Sequence, residues 1–173
     1  ELSSKYQAAI IIKNQARALD PGGIGKALAE KAQIMGASFR QTGVDAIVPG
    51  GNDRWILQTN QGPLAADKIV IAAGAWSAHL LTPLGFKLPL EAERGYHLVF
   101  RNPGITLNNS IMDTERKFVA SSMLNGVRCA GTAEFAGLNA PPDYRRARIF
   151  KILAKRLFPN INVNDVDEWM GTR

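Results

Sequence analysis

Along this chain the spacing of apolar and polar positions changes several times, and each change predicts an element. Residues 8–13 read as a short β run. Asp20-Pro21-Gly22 then announces a helix, with Asp20 as its cap and Pro21 in its first turn. Ile24, Leu28, Ala32 and Met35 recur at helical spacing and Gly36 closes the helix. That apolar stripe predicts a face turned to a sheet. Residues 39–48 read as a strand broken near Gly43, and residues 49–53 as a turn. Residues 55–59 and 67–73 continue a β-meander, and Ile69-Val70-Ile71-Ala72-Ala73 is apolar throughout, as in a strand covered on both faces. A short helix from Trp76 to Leu81 follows Gly74. Residues 88–100 predict a long strand bent at Gly95, and residues 118–123 and 127–132 flank Asn125-Gly126, a strong hairpin signal. A last helix over 144–158 and a last strand over 163–169 complete the pattern. The sum is three helices and about eight strands. It predicts an α+β (mixed α/β) fold, a largely antiparallel mixed β-sheet with the helices packed on it.

Composition narrows the class. At 173 residues and 46% hydrophobic, the chain can build a core and is no disordered tail. No apolar run approaches the length needed to span a bilayer as a helix. The net charge of +6 favours anionic company without specifying it. One cysteine, Cys129, makes no internal disulfide and agrees with a cytoplasmic setting. With two histidines and no CxxC, no metal site is expected. The chain begins at Glu1 and stops inside an apparent strand, so it reads as an internal segment of a longer protein.

Candidate chemistry is sparse. The corner Ala72-Ala73-Gly74-Ala75-Trp76-Ser77 lets backbone approach a ligand closely, and the amides opening the helix suit an anion. A tight turn that needs small residues only for packing is the plainer account. No GxGxxG, Walker, GxSxG or HExxH string occurs, and neither His79 nor His97 has a nucleophile at a recognisable spacing, so no catalytic side chain is assigned. The last helix carries Arg145, Arg146, Arg148, Lys151, Lys155 and Arg156, with Ile149, Ile152, Leu153 and Leu157 as its apolar stripe. A solvated basic face over a buried stripe accounts for this. Docking on anionic lipid or an acidic partner is the alternative, and no nucleic-acid motif accompanies the charge.

In order, Asp20-Pro21-Gly22, Gly36-Ala37-Ser38-Phe39 with Val44, Ile69 to Ser77, Pro89-Leu90, Arg94-Gly95-Tyr96-His97, Gly131-Thr132-Ala133-Glu134, Leu157-Phe158-Pro159 and Trp169-Met170-Gly171-Thr172-Arg173 cover nearly the whole chain. This string resembles the FAD-dependent oxidoreductases of the D-amino-acid oxidase superfamily, most of all the bacterial D-amino-acid dehydrogenase branch. The family's glycine-rich strand–turn–helix and its C-terminal flavin loop are not in this sequence. The resemblance therefore implies the middle of such an enzyme: residues 1–87 with strands and a helix of the FAD-binding domain, and residues 88–173 as the substrate-binding sheet.

The resemblance also implies roles. Val44 would meet the adenine, Ala73, Gly74 and Trp76 would pack along FAD, and Arg173 would grip the substrate carboxylate through two parallel hydrogen bonds. Of the neighbours Tyr96 and His97 only one reaches a pocket, and Tyr96 is preferred. Glu134 is expected as a solvated edge carboxylate. The implied substrate is a D-amino acid or related small amine, with a glycine, sarcosine or hydroxyproline oxidase as the alternative within the superfamily, and a non-catalytic module with a basic helix outside it. The implied location is cytoplasmic, with a peripheral membrane seat and self-association of the segment also expected.

Overall fold

The structure, a computed structural model, describes residues 2–173. The chain divides into two compact units: one gathers the N-terminal stretch to Leu28 with Glu93–Thr172, the other Ala29–Ala92 with Arg173. Helix α1, Pro21–Ile34, runs from the first into the second. Its ends are built as the sequence predicts. The Asp20 carboxylate accepts from the Gly23 amide at 2.9 Å, which satisfies one of the donors every helix start leaves over. At the far end Gly36 takes φ +99°. There Ala37 donates to the Ala32 carbonyl and Gly36 to that of Gln33, each at 2.9 Å, a glycine-terminated Schellman turn. The stripe expected to face a sheet is uncovered. No residue of α1 is buried, and Ile24, Leu28 and Met35 are all more than half exposed.

In the second unit β1 (Val44–Pro49), β2 (Trp55–Thr59) and β3 (Leu64–Ala66) form an antiparallel meander in that order. β3 lies earlier than the pattern predicts. The Gly62 amide closes a turn on the Thr59 carbonyl at 3.1 Å, so the chain pairs at once, Leu57 opposite Leu64. Residues 69–73 belong to no ladder, and Val70 is 91% exposed. A strand exists only through a hydrogen-bonded neighbour, and among the described residues no strand pairs with this run. Residues 8–13 fail as a strand for the same reason, with Ile10, Ile11 and Ile12 all exposed. A 3₁₀ turn over Gly74–Trp76 leads into α2, Ser77–Leu81.

The first unit holds a five-stranded antiparallel sheet made of β4 (Glu93–Phe100), β5 (Ile111–Asp113), β6 (Phe118–Met123), β7 (Gly126–Phe135) and β8 (Val166–Thr172), in the order β5-β6-β7-β4-β8. The fold class is α+β as predicted, but the strands form two separate sheets, and every pairing is antiparallel. The predicted hairpin forms one residue early, with Leu124-Asn125 as its turn and Gly126 already in β7 opposite Met123. Gly126 has φ +132°, and a Cβ there would stand 2.0 Å from the Phe100 carbonyl oxygen, so only glycine fits. Strand β8 starts three residues later than predicted. An Asx turn, Asn164 amide to Asn162 side chain at 3.1 Å, occupies the approach.

Helix α3, Arg145–Leu157, covers one face of this sheet. Its buried residues are Ala147, Phe150, Ala154 and Leu157, spaced by three and four. The predicted stripe is therefore rotated: Leu157 is buried, but Ile149 and Ile152 are 41% and 67% exposed. The small Ala147 and Ala154 let the helix approach, and Phe150 fills the space against Phe118, ring centroids 6.0 Å apart. Alternation along β4 sends Arg94, Tyr96, Leu98 and Phe100 into this core and Gly95, His97 and Val99 to the other face.

Candidate functional site

The apolar run 69–73 and the meander border an open hollow of about 460 Å³ in the second unit. Val44, Ile47, Leu57, Ala73, Trp76 and Leu80 are among its walls. Three of the four residues the family resemblance assigns to the cofactor, Val44, Ala73 and Trp76, thus line one space. The fourth, Gly74, turns the chain between them at φ +53°, with no atom within 4 Å of the place a Cβ would take. The Trp76 amide closes that turn on the Ala73 carbonyl at 3.1 Å. The walls carry no Lys or Arg, and His79 is their one ionisable side chain. Such a lining fits a flat, apolar ring system and does not fit a diphosphate. Nor does α2 supply an anion seat, since five residues are too few to build the field of a longer helix. What these residues can hold of FAD is its apolar part.

Tyr96 stands in the first unit, 2% exposed, in a buried polar network beneath α3. Its hydroxyl donates to the Glu134 carboxylate at 2.5 Å and accepts from the Asp143 amide at 3.0 Å. Arg94, 1% exposed, donates to Glu134 at 2.6 Å and to the Ala140 carbonyl. Arg146 approaches the other Glu134 oxygen at 3.2 Å. Glu134 is therefore no solvated edge group. The Tyr96 hydroxyl, then the Arg94 guanidinium, hold its carboxyl below the usual range. Burial and this same bond push the Tyr96 phenol up. The network ties the loop before α3 to the sheet, and it leaves the Tyr96 hydroxyl facing the helix side. The sequence carries a signal for it: an inward-alternating Arg94 is paired in register with Glu134, and a buried arginine requires a carboxylate.

The opposite face of the same sheet carries an aromatic pair that sequence reasoning passed over. His97 and Trp169 face each other across β4 and β8, rings stacked 4.7 Å apart at 17°. Burial first, and then the nearby Arg128 charge, lower the His97 pKa to about 4, so the imidazole is neutral at physiological pH. Trp169 is half exposed. The outer edge of its indole lies where a Cβ of Gly171 would be, three ring atoms standing 1.9–2.7 Å from that point. The chain runs on from Gly171 through Thr172 into Arg173. A larger hollow of about 700 Å³ in this unit, between residues 9–17 and 105–112, contains none of the assigned residues.

Residues 1–173 match the family model described as FAD dependent oxidoreductase, DAO. Among curated relatives, a D-amino-acid oxidase of Bradyrhizobium diazoefficiens is 35% identical over 177 residues, covering all of this chain and 42% of that protein. A D-amino acid dehydrogenase of the same organism is 34% identical over 86% of the chain and 36% of its own length. One from Paramagnetospirillum magneticum is 36% identical over 84% and 36%. The chain thus spans about two fifths of the relatives it matches. Among solved structures, glycine oxidase from Geobacillus kaustophilus superposes with a TM-score of 0.71 at 21% identity, over 87% of this chain and 41% of that one. L-proline dehydrogenase from P. horikoshii gives 0.71 at 20%, over 88% and 43%. At such identities these two speak for the fold. No helix among the described residues is long and apolar enough to cross a membrane.

Proposed function

The chain belongs to the DAO family of FAD-dependent oxidoreductases, and from that membership we propose that it forms the substrate-binding sheet and part of the cofactor-binding region of an enzyme that oxidises the Cα–N bond of D-amino acids. The observation that carries this reading is the end-to-end match, at 35% identity, to a D-amino-acid oxidase. FAD, when bound, supplies the acceptor for the α-hydrogen and its electron pair, and the resulting imine takes up water to give a 2-oxo acid and ammonia. This chain's residues bind and orient. Val44, Ala73, Gly74 and Trp76 hold the apolar part of the cofactor. Arg173 pairs with the substrate carboxylate in two parallel hydrogen bonds, which fixes how the α-carbon is presented. Tyr96 acts from behind the sheet by holding Glu134 and the Asp143 amide. No protein nucleophile is needed.

The test uses the full-length FAD-loaded enzyme. Anaerobic D-alanine should bleach the flavin absorbance, and Arg173→Leu should raise KM for D-alanine by about a hundredfold or more, the scale on which losing a charge-assisted bidentate contact is felt. An unchanged KM rejects the assignment of Arg173. Absence of bleaching by any D-amino acid rejects the reaction.

A second reading concerns α3. Ile149 and Ile152 stand exposed on a helix that also carries Lys151, Lys155 and Arg156. We propose that this outer face rests on an anionic lipid surface. Vesicles containing phosphatidylglycerol should bind the protein at low salt and lose it when Ile152 and Arg156 are changed to Glu. Equal binding by the variant removes the reading.

A further inference from the structure

We propose that Trp169, braced by His97, selects the substrate's side chain and favours bulky apolar or aromatic D-amino acids over small ones. This rests on the D-amino-acid reading above. The two faces of the five-stranded sheet have different tasks. Core packing uses the face under α3, where Tyr96, Leu98, Phe100, Val127 and Cys129 are buried. Trp169 belongs to the other face, contributes nothing to that core, and leaves half its surface in the open. A large exposed indole is an unfavourable way to cover a sheet unless something docks on it.

Its placement is also fixed with some care. Register sets Trp169 opposite His97. The imidazole stacks on it at 4.7 Å, so the indole has one braced face. Gly171 keeps clear the space the ring's outer edge occupies, since a side chain there would meet ring carbons at 1.9 Å. The ring thereby leans along β8 over Gly171. Opposite Gly171 stands Gly95, which adds no side chain to crowd the indole. An α-amino acid held by its carboxylate at Arg173 must place its side chain somewhere. A preset aromatic wall on the strand that delivers Arg173 rewards a side chain with apolar area to bury. His97, being neutral, adds no charge of its own to this aromatic wall. The pair is a specificity determinant and takes no part in bond breaking.

The test compares D-phenylalanine with D-alanine in the full-length FAD-loaded enzyme. Trp169→Ala should lower kcat/KM for D-phenylalanine by about tenfold or more, the size of a lost apolar pocket contact, and change D-alanine by less than about threefold. Trp169→Phe should retain most of the preference. A second readout needs no turnover. With 5-fluorotryptophan in place of the three tryptophans, the ¹⁹F line that Trp169→Phe removes should shift on adding phenylacetate and stay put on adding acetate. Equal losses for both substrates, or a Trp169 line indifferent to phenylacetate, overturn the proposal. So does a wild-type enzyme that oxidises D-alanine and leaves D-phenylalanine untouched, an outcome that keeps the deamination reading intact. Failure to oxidise any D-amino acid instead overturns that underlying reading, while the fluorine shift still reports on the wall.

Discussion

Gly171→Ala should be destabilising in the native sequence and stabilising once Trp169 has been removed. The reasoning starts from the backbone. Gly171 does not lie in the positive-φ region, so alanine can adopt its conformation, and stiffening the unfolded chain should then contribute about 0.4–1 kcal/mol of stability. What opposes alanine is the indole edge, with ring carbons at 1.9, 2.5 and 2.7 Å from the new methyl position. The ring must swing away. That forfeits its stack with His97, worth about 0.5–1.5 kcal/mol, and exposes apolar area that the half-buried ring now covers. Displacing a packed group adds about 1 kcal/mol more. The steric and stacking losses exceed the entropic gain, so the single variant should lose about 1 kcal/mol net. In a Trp169→Ala background both losses vanish and the same substitution should gain a few tenths of a kcal/mol to about 1. Equilibrium urea unfolding of the four proteins completes the double-mutant cycle, with a coupling energy of about 1.5–2 kcal/mol expected. An effect of the same sign and size in both backgrounds would refute the picture of a ring held over a missing side chain.

Three further outcomes are expected. Because Tyr96 and Arg94 hold the Glu134 carboxyl below its ordinary 4.5, Glu134 stabilises the fold fully above that value and progressively less as the pH falls through its lower folded-state pKa. Glu134→Gln should lower stability at neutral pH and flatten the acid limb of stability against pH, and an unaltered limb would count against the network. Cys129 is fully buried and burial pushes its thiol up to about 12, so a thiol reagent at pH 8 should label it only in denaturant, and rapid labelling of native protein would contradict this packing. With Ile24, Leu28 and Ile34 open along α1 and Met35 just beyond it, the isolated chain should self-associate and Leu28→Glu should reduce it, whereas a sharp monomer at high concentration in sedimentation would show the face to be harmless.

The parts of the fold legible in the sequence are those that short-range chemistry decides. Asp20 and Gly36 are where they are because a helix start needs an acceptor and a helix end needs a left-handed residue. Neither depends on distant residues, whereas the space at Gly126 does, since a Cβ there would meet the Phe100 carbonyl of β4. Residues 8–13 and 69–73 show the opposite case. Their Ile and Val content expresses β propensity, but a strand is a pairing, and pairing is a property of two segments. α3 shows a third case. Of the predicted stripe Leu153 and Leu157 meet the core while Ile149 and Ile152 stay exposed, so hydrophobicity alone places the stripe partly off the buried face of Ala147, Phe150 and Ala154. Closeness to the sheet selects the face with alanines, because a helix seats tightly where its side chains are small.

The site follows the same division. Val44 lies far before the Ala73–Trp76 corner in sequence and yet lines the same hollow, a juxtaposition that residue spacing does not reveal. The choice between Tyr96 and His97 turns on which face of β4 the helix covers, and that is decided by α3, some fifty residues downstream. The sequence does hold the deciding hint in Arg94. A strand that alternates Arg94, Tyr96, Leu98 and Phe100 on one side sends an arginine wherever it sends Phe100. An arginine can enter a core only where a carboxylate meets it, and Glu134 is the acid in register on β7. The presence of that pair marks the Arg94–Tyr96 side as interior, which leaves His97, and with it Trp169 across the ladder, on the face away from α3.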